Sequence, residues 1–150
     1  MTEGATSLRR SDWPRLAALI LSAVGMADSA YLAFLKLTEQ IVACGDVGDC
    51  QAVNNSPYAV VGGVPVALLG AAGYLLILAA VWIDRPGSAW AEAGRTAFFG
   101  LTLIGVLYSL YLTYIELFVL RAVCPFCVLS AVVMGVLFVL SIARLRAASD

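Results

Sequence analysis

Four apolar runs constrain this chain before anything else does: about residues 16–37, 64–83, 96–117 and 124–143, each near the ~20 residues a helix needs to cross a ~30 Å hydrocarbon core. No water reaches the backbone inside such a core, so N–H and C=O groups must pair within each run, which makes the runs helices. Of the 150 residues, 62% are hydrophobic and only 13% charged. With a mean hydropathy of +0.94, that is more apolar surface than a soluble domain of this size can bury. The sequence predicts an all-α integral membrane protein: a single domain over residues 1–150, built as a four-transmembrane-helix bundle with an extracytoplasmic loop at about 38–63. Residues 1–15 are polar and lack a small-x-small cleavage pattern, so the first run reads as an anchor and not as a signal peptide.

Basic residues orient the bundle. Arg9, Arg10 and Arg15 precede the first run, Arg85 and Arg95 lie between the second and third, and Arg144 and Arg146 follow the fourth, which puts seven of the nine Lys and Arg on one side. Lys36 and Arg121 fall opposite. Both termini are therefore expected in the cytoplasm, and all four cysteines outside. An oxidising compartment is where disulfides form and persist. Trp13 and Lys36 read as interface anchors.

The chain has no histidine, which removes the commonest general base and most zinc sites. Its reactive groups are cysteines. Cys124-Pro125-Phe126-Cys127 opens the fourth run; two cysteines three apart on a helix lie about 5–6 Å apart at Cβ, close enough for a reversible disulfide. The partial positive charge of a helix N-terminus favours a thiolate, so Cys124 is expected to be the more acidic of the two. Pro125 is at home in a first turn. Cys44 and Cys50 sit in the external loop among glycines and aspartates, a turn-rich, solvated setting. A tetrathiolate metal site is disfavoured because one pair is spaced by six, and no metal is expected. Inert or static bridges are the competing reading. From Gln51 onward a short helix is expected on the membrane face, with Ala52, Val53 and Tyr58 as its buried side.

Asp28, inside the first run, is costly to place in a membrane and is a functional-site candidate or a structural hydrogen-bond partner. Glu116 lies near the external end of its run and is expected to reach water. Tyr108, Tyr111 and Tyr114 recur every three residues, as an aromatic belt or as one wall of a pocket.

Taken together, Cys44 and Cys50, then Ser56-Pro57-Tyr58-Ala59, Gly63-Val64-Pro65, Tyr111-Leu112 and Cys124-Pro125-Phe126-Cys127 resemble the vitamin K epoxide reductase family over about residues 20–140. The resemblance implies a bundle that holds a quinone, menaquinone or ubiquinone, near the external surface. It implies Cys44 and Cys50 as the outer redox pair and Cys124 and Cys127 as the inner one, with Ser56, Asn54, Tyr111 and Asp28 as quinone-binding candidates. Electrons would pass from an external thiol protein to Cys44–Cys50, then to Cys124–Cys127 and on to the quinone, in the bacterial cytoplasmic membrane. Some members carry a fused thioredoxin-like domain; this sequence ends at Asp150, so the partner is expected to be a separate thioredoxin-fold protein of the DsbA type, and no nucleic acid is implied. The disulfide-bond-B type of quinone-coupled oxidase places its Cys-x-x-Cys in the first external loop, the reverse of the order here. A non-catalytic scaffold with static disulfides is the alternative from another class.

Overall fold

The computed structural model describes residues 3–150, with side chains from Asp12 onward; Arg9 and Arg10, counted above toward the basic side, lie outside the described side chains. Helix α1 runs Glu3–Leu37, and a short helix α2, Cys50–Asn54, stands in the loop that follows. A hairpin of β1 (Val60–Val61) and β2 (Val64–Pro65) leads into α3 (Val66–Ile83). Helix α4 spans Ala91–Tyr114 and continues as a π-helical turn, Ile115–Leu120, before α5 covers Pro125–Ser149.

Four helices among the described residues are long and apolar enough to cross a membrane: Asp12–Leu37, Val66–Ile83, Ala91–Leu120 and Pro125–Ser149. The expected order is met, but α1 and α4 begin earlier and α5 ends later than the apolar runs. Hydropathy marks where lipid begins, whereas a helix continues into water as long as its backbone bonds close. The hairpin's first strand and turn lie in the expected loop, and its second strand takes the first two residues expected to open the second helix. Gly62 and Gly63 both take positive φ, 59° and 84°, which is the backbone that a two-residue turn between strands demands.

The helices form a ring in which α1 packs on α3 and α5, and α4 packs on the same two. Tyr74, Ile77, Val81, Phe98 and Leu137 are the centre of its core. Apolar side chains also cover the outside: Ile104, Leu110 and Val139 are 67%, 62% and 63% exposed, as lipid-facing residues should be. With lipid on one side and side chains on the other, helices gain from close approach and hydrogen bonds more than from water exclusion. Gly25 of α1 allows such an approach, because any Cβ there would run into the Tyr74 ring. The Tyr74 hydroxyl, in turn, donates to the Ser130 carbonyl of α5 at 2.9 Å, and Thr102 Oγ1 of α4 lies 3.1 Å from Ser141 Oγ of α5.

One end of the bundle is tied by charge. Asp84, 1% exposed at the end of α3, accepts from Arg95 Nη2 of α4 at 3.1 Å and from Arg144 Nε of α5 at 2.6 Å. Arg15 Nε of α1 donates to the Val81 carbonyl at 3.2 Å. All four helices are thus fastened at the end that carries Arg85 and Arg146, and the cysteines lie at the other. Removing one member of a buried ionic group strands the charges it balanced, so Asp84→Ala should lower stability by about 3 kcal/mol, read as an earlier unfolding transition in detergent, while the Cys44–Cys50 disulfide remains intact.

Candidate functional site

The outer loop folds back on the bundle through its own polar groups. After α1, the Gln40 N–H bonds to the Leu35 carbonyl at 3.0 Å, and the Val42 N–H donates to Gln51 Oε1 at 2.9 Å. Asp49 caps α2 by accepting from the Ala52 N–H at 2.9 Å, the role expected of a short acidic side chain at that position. Lys36, expected as an interface anchor, donates to the Asn54 carbonyl at 2.7 Å and holds the end of α2 against α1. Cys44 and Cys50 are joined in a disulfide with their Cα atoms 6.0 Å apart.

Two contacts press this loop onto the start of α5. The Asp49 N–H donates to the Val123 carbonyl at 3.0 Å, and a Cβ on Gly48 would collide with that same carbonyl. Only glycine lets the chain lie so close. As a result Cys50, 1% exposed, and Cys124, 2% exposed, belong to one packed cluster with Leu32, Leu35 and Val42, while Cys44 is half-buried at its edge.

Cys124 and Cys127 are free thiols. Cys124 occupies the N-cap position of α5, with Pro125 in the first turn, as the sequence suggested. A hydrogen bond from the Cys127 thiol holds Cys124 below the usual thiol range. Burial acts against that bond and ranks next; the Cys127 and Phe126 N–H groups then help the thiol to lower the value without closing a capping bond, and the Glu116 carboxylate opposes them.

Glu116 differs most from expectation. It does not reach water; it is 5% exposed, and its Oε2 accepts from the Cys124 N–H at 3.3 Å. The cause is the π turn. The chain after Leu120 folds back over Glu116, with Arg121 in the left-handed region at φ 51° and the Ala122 N–H bonded to the Glu116 carbonyl at 3.1 Å. Nearness to a helix end did not foretell that the connection would cover it. The available signal was an acid eight residues before a Cys-x-x-Cys.

Between the loop and the four spanning helices lies a cavity of about 380 Å³, within the size range of small-molecule sites. Its walls are mainly apolar, and its polar groups include Asp28, Asn54, Ser56, Glu116, Cys124 and Cys127. Five of the eight residues singled out from sequence therefore meet here. The Ser56 hydroxyl, almost buried, donates to the Val53 carbonyl at 2.8 Å. Asp28 Oδ2 is buried without a hydrogen-bond partner, which leaves an acceptor available to a ligand in the cavity it lines. Cys44 and Cys50 stand outside the lining. Tyr111 does not reach it either: it is 49% exposed on the outer face of α4, and Tyr108, whose ring centre lies 6.0 Å from that of Tyr111, lines the cavity instead. Spacing by three cannot tell one face of a helix from the next. Around the loop helix, Cys50 and Ser56 turn inward on the protein, Val53 is half-buried, and Ala52 and Tyr58 are exposed.

Residues 16–142 match the model of the vitamin K epoxide reductase family. Among curated proteins the chain is similar to the thiol-disulfide oxidoreductase LTO1 of Arabidopsis thaliana, 36% identical over 123 residues. The aligned part covers 78% of this chain but 33% of that relative, so the chain spans about a third of the length of the protein it matches.

Two measurements follow from the geometry. Because Cys124 is held below the ordinary thiol range, its thiolate persists to lower pH than a free cysteine's; its N-ethylmaleimide labelling, followed by peptide mass spectrometry, should reach half-maximum at a correspondingly lower pH. Gly48→Ala should lift the loop from Val123 and remove about 1 kcal/mol of hydrogen bonding, so that Cys124 is labelled about fivefold faster while helix content is unchanged.

Proposed function

Because the chain belongs to the vitamin K epoxide reductase family, we propose that it is a single membrane domain acting as a thiol:quinone oxidoreductase that supports disulfide-bond formation. Electrons come from a separate extracytoplasmic thioredoxin-fold protein of the DsbA type, pass through Cys44 and Cys50 to Cys124 and Cys127, and leave to a membrane quinone, menaquinone or ubiquinone. The setting is a bacterial cytoplasmic membrane with both termini inside. The basic residues that cluster at the end opposite the cysteines support this orientation.

The observation that carries the reading is a juxtaposition. A buried Cys50, oxidised with half-buried Cys44, shares one packed cluster with Cys124, while Cys124 and Cys127 line the apolar cavity. Each transfer is then a thiol–disulfide exchange. The partner's dithiol reduces the Cys44–Cys50 bond and is itself oxidised. Cys50 as thiolate attacks Cys124 in a Cys124–Cys127 disulfide and expels Cys127. Cys44 next attacks Cys50, restoring the outer disulfide and releasing Cys124. The inner pair is now reduced, the state in which the two pairs stand in this structure.

A quinone supplies the chemistry of accepting two electrons and two protons. The residues lining the cavity suit its head group: apolar walls for the ring, with the Asn54 amide as a hydrogen-bond donor, the Ser56 hydroxyl as a second donor once it turns from the Val53 carbonyl, and the unpartnered Asp28 as a polar contact. A donor aimed at an oxygen that gains charge stabilises the reduction. Cys127, within the first turn of α5, completes the wall from which the electrons leave.

Removing Cys127 tests the relay. In Cys127→Ser, Cys124 should attack Cys50, release Cys44 as a thiol, and leave a Cys50–Cys124 bridge that, without Cys127, cannot be resolved forward toward the quinone. Quinol formation from a reduced thioredoxin-fold substrate, with menaquinone or ubiquinone in proteoliposomes, should stop. Peptide mapping after alkylation decides the matter: a Cys50–Cys124 cross-link with Cys44 alkylated is expected, and an intact Cys44–Cys50 bond with Cys124 alkylated would sink the relay in favour of static bridges.

A further inference from the structure

A dithiol that becomes a disulfide must shed protons as well as electrons, and in this chain the usual carrier is missing, since there is no histidine. Two carboxylates line the cavity, Asp28 and Glu116. Only Glu116 touches the inner cysteines. Its Oε2 accepts from the Cys124 N–H at 3.3 Å, and Cys127, in the first turn of α5, lines the same cavity as the carboxylate. Among the described residues no ion pair reaches it, the two recorded pairs being those of Asp84 at the far end. No lysine or arginine lines the cavity. The titratable groups that share the space are Cys124, Cys127, Asp28, Tyr58, Tyr74 and Tyr108.

The backbone around Glu116 is specialised as well. The carboxylate sits in a π-helical turn, a rare local geometry that is frequent at functional sites. Both its carbonyl and its side chain are bonded by the segment leading to Cys124. An acid that merely closed the helix end would not need to be buried beside two thiols.

We propose that Glu116 is the acid–base residue of the inner cysteine pair, carrying the Cys127 proton away as the Cys124–Cys127 disulfide forms and returning one when that disulfide is opened. The role rests on the reading of the cavity as the place where the pair is oxidised by a quinone. With Cys124 as thiolate, one S–H bond breaks at Cys127 and one S–S bond forms. The pair loses two electrons and one proton; the quinone gains two electrons, the Cys127 proton by way of Glu116, and a second proton from water. In the relay step the direction reverses. When Cys50 attacks Cys124, the sulfur that leaves is Cys127, and protonated Glu116 lies in reach to neutralise it.

Glu116→Gln separates this role from a structural one, because the amide oxygen still accepts from the Cys124 N–H but cannot carry a proton. The full chain in lipid nanodiscs, reduced and then mixed with ubiquinone-1, is followed for quinol formation in the first turnover between pH 5 and 9. E116Q should be about 100-fold slower at neutral pH, the scale of a lost general acid–base residue, and should lose the wild-type inflection, while Glu116→Asp restores both in part. A wild-type rate and pH profile in E116Q would overturn the proposal. A second measurement needs no quinone: the pH dependence of N-ethylmaleimide labelling at Cys124 and Cys127, with the Cys44–Cys50 disulfide and helical circular dichroism verifying the fold. A profile changed at both thiols in E116Q supports the role, and an unchanged one overturns it. A wild-type chain that reduces no quinone overturns the function above, and the labelling measurement then decides on Glu116 alone.

Discussion

A single backbone hydrogen bond, from the Asp49 N–H to the Val123 carbonyl at 3.0 Å, joins the two halves of the cysteine chemistry. More than seventy residues of chain separate these groups. What permits the bond is the absence of a side chain at Gly48, and what protects it is the cluster around Cys50 and Cys124. In bulk water such a bond would contribute only about 1 kcal/mol. On the proposed relay its importance is positional, since exchange requires one sulfur to approach another along a defined line, and a small displacement of the loop would break that line.

The opposite end of the bundle is built on a different principle. Asp84 holds arginines from two other helices, and Arg15 brings in α1, so the basic end is fixed by charge in a place with little water. The cysteine end has loops, a small hairpin and a cavity in the same cross-section. Fastening the helices at one end leaves the other free to hold polar groups that are not fully satisfied, such as Asp28. Unsatisfied groups of this kind reduce stability, and the tied end offsets them.

The sequence made the bundle legible because its signal is physical and local: an apolar run of membrane length has few other fates. The cysteine placement was equally readable, since side and order along the chain decide it. The rest depended on contacts between distant segments. Glu116 was misjudged because its burial comes from the π turn and the connection that folds over it. The resemblance points to Tyr111 whereas Tyr108 lines the cavity, because both fit one aromatic stripe and only the neighbouring helices choose the inner face. The hairpin, by contrast, has a local signature in Val60-Val61-Gly62-Gly63-Val64-Pro65, three valines around a Gly-Gly turn.

Neither Cys44 nor Cys50 lines the cavity, although the inner cysteines do. On the proposed route the donor protein and the lipid-soluble acceptor therefore occupy separate surfaces, and each can arrive or depart while the other is bound. Four thiols can store as many as four electrons, so a full charge from the donor outlasts its departure. Such a molecule works as a short-term reservoir: it meets its two substrates in alternation, with parallel-line kinetics when one is varied against the other, and it continues to drain into the membrane after the donor has diffused away.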